Sequence, residues 1–163
     1  MNCSELIDKY VPADDVFLFN TGCAQKAWLL LGCRYIEEAK MHRFAVWAPN
    51  AKSVSLVGDF NGWNPECTPM EKRGGIWYCF VEGLCNGELY KYCVTTAAGK
   101  TIWKSDPFAQ WSQSGVNTAS MVWTHTSGTT RTSCKAVRKE TALKAPCLYT
   151  KCISAHGKYR RAA

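Results

Sequence analysis

The sequence predicts an all-β domain built as an antiparallel sandwich. Short apolar runs recur about every ten residues beyond Arg34, each closed by a turn signal of Gly, Pro, Asn or Asp. Within the runs, apolar and polar side chains alternate with the period of two that marks a half-buried strand. No helix of crossover length separates the runs, which disfavours a parallel sheet. The 163 residues are enough for one domain with a core, and the 47% hydrophobic and 12% aromatic content argues for a globular chain.

Residues 1–20 carry few signals beyond the apolar patch Val16–Phe19. Asn20-Thr21 is expected to cap a short helix through Ala24–Leu31, with Gly32 as its stop and the whole segment flanking the main domain. From Arg34 the pattern turns to strands. Arg43–Trp47 alternates and ends at Ala48-Pro49-Asn50, and Ser53–Val57 follows with Val54 and Leu56 on one face. Glu71-Lys72-Arg73-Gly74-Gly75 reads as a turn into Ile76–Val81; Asn86-Gly87 breaks that strand and Leu89–Thr95 resumes. Thr101–Lys104, closed by Asp106-Pro107, and Thr118–Trp123 complete the set. Trp47 and Trp77 have apolar strand neighbours and are assigned to packing.

Between these strands, Gly58-Asp59-Phe60-Asn61-Gly62-Trp63 interrupts abruptly. Gly58, Asn61 and Gly62 give the backbone freedom of a tight turn. Trp63 on that turn is either a core plug or a platform for a flat apolar ligand face. In Leu89–Val94 the set Tyr90, Tyr92, Val94 forms the apolar face and Lys91 points the opposite way, which on burial statistics reads as a solvated lysine. Trp103 shares a face with Thr101, opposite Ile102; it reads either as an inter-sheet core residue or as an exposed ring.

The net charge of +7 divides unevenly. Residues 1–123 hold 11 Lys+Arg and 12 Asp+Glu, net −1, and residues 124–163 hold 9 Lys+Arg and one acid, Glu140, net +8. The basic character therefore belongs to the last forty residues alone. No aromatics interleave usefully with those charges, so nucleic-acid binding is not expected. No apolar run is long enough to span a bilayer. The start, Met1–Glu5, lacks the basic and apolar regions of a signal peptide, so the expected setting is the cytoplasm and the ten cysteines are expected to be reduced. No Cys-x-x-Cys pair is present, and neither a metal site nor a cofactor is expected.

Five blocks then carry a resemblance. Arg43–Ala51, Val57–Trp63, Leu89–Tyr92, Lys104–Phe108 and Asn117–Ser120, in order and in register from about Phe17 to Trp123, resemble the N-terminal module of bacterial 1,4-α-glucan (glycogen) branching enzymes, a family 48 carbohydrate-binding module. The resemblance implies an immunoglobulin-like sandwich with a short N-terminal helical flank, and an α-1,4-glucan (glycogen or maltooligosaccharide) as ligand. The related glycogen-binding modules of kinase regulatory subunits grip glucan with two tryptophans, a lysine and an asparagine. The matching positions here are Trp63, Lys91, Trp103 and Asn117. The chemistry agrees: a glucose ring stacks its C–H face on indole, while lysine and asparagine bond the rim hydroxyls. Two indoles on one curved surface suit the helical turn of such a chain. Some modules of this family instead serve mainly to brace the catalytic barrel, and a stand-alone glycogen-targeting module is a further alternative.

Branching needs a pair of carboxylates on a (β/α)₈ barrel of about 250 residues, more than this sequence holds. Asp59, Glu66, Glu82 and Asp106 read as turn formers, and His42, His125 and His156 lack acidic or cysteine partners at catalytic spacing. No catalysis is expected of these residues alone; in an intact enzyme the module would act as a monomer beside its own barrel. The resemblance stops after Trp123. Read one base out of frame, Trp123-Thr124 encodes Asp, and Cys147–Lys158 permits Ser-Ile-Tyr-Glu-Val-His-Ile-Gly-Ser-Trp-Lys, close to the segment the family carries there. The expected division is an extension at 1–32, a sandwich at 33–123 and an irregular, out-of-frame, disordered tail at 124–163.

Overall fold

A computed structural model describes residues 3–114 and 118–124. Two antiparallel sheets face each other as an immunoglobulin-like sandwich. The first has the order β1-β2-β5-β4, from β1 (Gly32–Ile36), β2 (Met41–Trp47), β5 (Ile76–Glu82) and β4 (Glu71–Arg73). The second has the order β3-β6-β9-β8, from β3 (Ala51–Gly58), β6 (Leu89–Thr96), β9 (Ser120–Met121) and β8 (Trp111–Ser112). Strand β7 (Thr101–Lys104) pairs with β6 beyond the short stretch that β9 occupies.

The layer between the sheets holds Phe44, Val54, Leu56, Trp77, Cys79, Val81, Tyr90, Tyr92 and Val122. Asp106 closes one end of it. Its Oδ2 accepts the Tyr90 and Tyr92 hydroxyls at 2.7 and 3.2 Å, while its own N–H donates to Ser120 Oγ at 2.8 Å. Asp106 does form a turn, through Oδ1 and the Phe108 N–H at 2.9 Å. It is also a buried anchor, and burial raises its carboxyl pKa above the usual range, against the lowering pull of the tyrosine hydroxyls.

The first sheet is buried on both faces, because helices cover its outside. Helices α1 (Cys3–Tyr10), α2 (Ala13–Asn20) and α3 (Ala27–Leu30), with Val11 between the first two, lay Leu6, Ile7, Val16 and Leu30 on Ile36, Met41, Ala45, Ile76, Tyr78 and Phe80. Arg43 reaches out of β2 into this layer and donates to the Tyr10 and Leu29 carbonyls at 2.7 and 3.0 Å, satisfying groups at the ends of α1 and α3. Burial lowers its pKa to about 10, which leaves it charged at neutral pH.

Several expectations are corrected here. Asn20-Thr21 ends a helix instead of starting one. The Thr21 N–H donates to the Phe17 carbonyl at 3.0 Å, and its hydroxyl donates to the Phe17 and Leu18 carbonyls, both at 3.1 Å. The expected helix Ala24–Leu31 shrinks to four residues, and the patch Val16–Phe19 lies inside α2. Glu71–Arg73 is a strand, and only Gly74 and Gly75, at φ 56° and 88°, make the hairpin turn. Trp77 packs as expected, its indole N–H donating to the Ala48 carbonyl at 2.8 Å. Trp47 does not: it is 52% exposed at the end of β2, where the helical layer offers it only the edge of Phe19. Cys23, Cys33 and Cys93 are free thiols, whereas Cys67 is disulfide-bonded, against the expectation of reduced cysteines throughout. No described helix is long and apolar enough to cross a membrane. The basic residues of 125–163 lie outside the described residues.

Candidate functional site

The turn after β3 is assembled around one buried amide. Asn61 accepts the Gly58 N–H at 2.9 Å and donates to the Leu56 carbonyl and Thr68 Oγ1 at 2.9 and 3.0 Å. Gly58 is required by closeness, since a Cβ there would meet the Leu89 carbonyl oxygen at 2.4 Å. The chain leaves the turn through two left-handed residues, Gly62 and Trp63, both at φ 62°. For tryptophan that backbone costs about 1–3 kcal/mol. The Trp63 N–H to the Gly58 carbonyl, at 2.9 Å, helps hold it there.

Trp63 is half-buried, and its ring meets Trp103. The two ring centroids are 5.9 Å apart and the planes lie within 7° of parallel. Trp103 stands on β7 directly across from Cys93 of β6 and is 47% exposed, so it faces out of the sandwich, as the strand alternation favours. The spacing is that of an offset stack. A pyranose held between two rings needs planes about 7 Å apart, twice a van der Waals contact. A ligand must therefore lie across the outside of the pair.

Lys91 shares this face of β6. It pairs with Val57 of β3 and sits one diagonal step from Trp103 along the strand pair. It is half-buried, and Nζ has no hydrogen-bond or ion-pair partner among the described residues. Val57 and Cys93, on the same face, are both buried and give the face an apolar floor. Burial also pushes the Cys93 thiol pKa up. Three of the four expected residues therefore come together on the open face of the second sheet. Asn117 lies outside the described residues.

Sequence reasoning missed Asp59. It opens the turn, as expected, and it also accepts the Trp63 indole N–H on Oδ1 at 3.0 Å and the Leu89 N–H on Oδ2 at 3.1 Å. Its position four residues before the tryptophan, at the start of the short 3₁₀ turn Asp59–Asn61, was the available signal. Two surface clefts lie elsewhere, one beside Arg34, Tyr35 and Trp123, the other beside Leu18, Lys26 and Leu29. Neither includes the tryptophan pair. No group of three or more His, Cys, Asp or Glu among the described residues is placed to hold a metal ion.

Residues 30–109 match carbohydrate-binding module 48, the isoamylase N-terminal domain. The chain carries a family 48 carbohydrate-binding module. The match extends to full-length relatives. The 1,4-alpha-glucan branching enzyme GlgB of Aromatoleum aromaticum is 39% identical over 112 residues, 67% of this chain and 17% of that enzyme. Its namesake in Nitratidesulfovibrio vulgaris strain DP4 is 40% identical over 118 residues, 70% of this chain and 18% of the enzyme. That of Protochlamydia amoebophila is 43% identical over 112 residues, 66% and 15% of the two chains. The module and its flanks thus span less than a fifth of these relatives' length. Among solved structures, the pullulanase of Bacillus acidopullulyticus is 30% identical, covering 56% of this chain and 11% of its own, with a TM-score of 0.47.

Proposed function

We propose that this module binds α-1,4-glucan on the Trp63–Trp103 platform, as the N-terminal part of a glycogen branching enzyme. The parallel indole pair carries the reading: residues forty positions apart meet ring to ring on an otherwise open sheet face. The C–H face of a glucose ring stacks on such a surface, with Lys91 on the same face as a hydroxyl partner and Asn117 as a second by the family match. Residues 33–123 form the sandwich, 1–32 its flank. The relatives' names supply the substrate class, and any chain transfer would belong to residues beyond these 163. An out-of-frame origin for 124–163 goes with this proposal; a barrel-encoding frame found downstream in the nucleotide sequence supports it, and the lack of one removes it.

The experiment is a titration of the 163-residue chain with maltoheptaose or β-cyclodextrin. Saturable binding is expected, with a loss of at least about tenfold in Trp63→Ala and in Trp103→Ala, since base- or sugar-stacking on an indole contributes on the order of a kcal/mol or more. Wild-type chain that binds neither sugar leaves the bracing reading. One observation favours bracing as an additional role: Phe17, Leu18, Trp28 and Leu29 are exposed together on the helical side, away from the platform, where a neighbouring catalytic barrel would cover them.

A further inference from the structure

We infer that Asp59 is the positioning residue of the platform, fixing the plane of Trp63 against Trp103 and occupying its indole N–H. A bound glucan then meets the π face of Trp63 and never its donor. This rests on the glucan-binding reading above.

One carboxylate makes two ties. Oδ1 takes the Trp63 Nε1–H at 3.0 Å and Oδ2 takes the Leu89 N–H at 3.1 Å. Leu89 opens β6, the strand that carries Lys91 and, at Cys93, pairs with Trp103. The ring of Trp63 is thereby fastened to the strand against which its partner ring is registered. The fastening matters because Trp63 leaves the turn from a left-handed backbone, where no regular strand or helix dictates its side-chain direction. Asp59 itself is exposed, so removing it opens no cavity in the core.

The chemical consequence follows from the donor inventory. An indole has a single N–H and no acceptor. Once that proton is given to Asp59, Trp63 has nothing with which to bond a hydroxyl, and directional bonds to the sugar fall to Lys91 and its neighbours. The platform then selects for an apolar ring face rather than for a particular hydroxyl pattern. Holding the indole parallel to Trp103 before the ligand arrives also removes an ordering cost from binding.

The test uses the full 163-residue chain with Asp59→Ala and Asp59→Asn, and reads two quantities. The first is the exchange rate of the Trp63 indole proton by NMR, assigned by its disappearance in Trp63→Phe. The second is the affinity for maltoheptaose. Asp59→Ala is expected to speed the exchange at least about tenfold and to weaken binding about five- to tenfold, the range of one lost hydrogen-bond tie. Asp59→Asn keeps one acceptor oxygen and should recover part of both. Unchanged exchange in Asp59→Ala would show that the clamp does not exist. Faster exchange with affinity held within twofold would show that ring orientation does not govern binding. If wild-type chain fails to bind maltoheptaose, the glucan reading falls, while the exchange arm still decides whether Asp59 orients the ring.

Discussion

His42 lies on β2 beside Tyr35 of β1, their ring centroids 4.9 Å apart, and neither imidazole nitrogen has a hydrogen-bond partner among the described residues. Burial lowers its pKa from 6.5 to about 4. The folded chain therefore holds fewer protons at this site than the unfolded chain. The stability that depends on a neutral His42 is complete above pH 6.5 and is lost as pH falls through about 4, by on the order of 3 kcal/mol. Asp106 acts with the opposite sign, because its raised pKa favours the protonated folded state at low pH. Urea midpoints at pH 7 and pH 4.5 separate the two: His42→Phe should flatten the acid-side decline, and an unchanged slope would assign it elsewhere. At this scale the sequence was partly legible. Trp63 and Trp103 stand in recognisable surroundings, but the clamp of Asp59 and the buried amide of Asn61 join atoms whose meeting depends on how the turn closes. Trp47 was misjudged because apolar strand neighbours do not reveal where a covering layer stops.

The helical layer shows the same division among elements. Helices α1 and α2 have only eight residues each and no side-chain caps at α2, too little for local propensity to fix them. They form because the first sheet offers them an apolar face and because Arg43 satisfies the carbonyls where α1 and α3 end. Replacing Arg43 by Met keeps the apolar stem and strands both carbonyls. A loss of about 2–4 kcal/mol in equilibrium unfolding is expected. A loss below about 1 kcal/mol would mean that burial alone docks the helices. The strands were far more readable, since a period of two survives in Thr101–Lys104 and Leu89–Thr96 almost to the residue. The strand expected at Thr118–Trp123 shortens to β9, and β8 had no signal, because two residues carry no period.

For the whole molecule, the two sheets have unlike outer faces. Helices cover one, and the other presents the tryptophan pair and Lys91. A ligand on the second face binds the folded chain alone and should stabilise it through mass action. Maltoheptaose at one hundred times its Kd should add about 2.7 kcal/mol and raise Tm by several degrees. Trp63→Ala at the same sugar concentration should show little or no rise. A rise of equal size in that variant would place the sugar somewhere other than the platform.

The sequence by itself determined the all-β class, the position of most strands, and the presence of a tryptophan on a turn that could be plug or platform. Those are local properties, written in the alternation of side chains and in the turn residues. The tertiary structure decided that Trp63 and Trp103 lie ring to ring, that Lys91 stands on their face, and that helices close the opposite sheet. Each depends on strand register and sheet order, and a register set by pairing across the sandwich leaves no trace in any single stretch of chain.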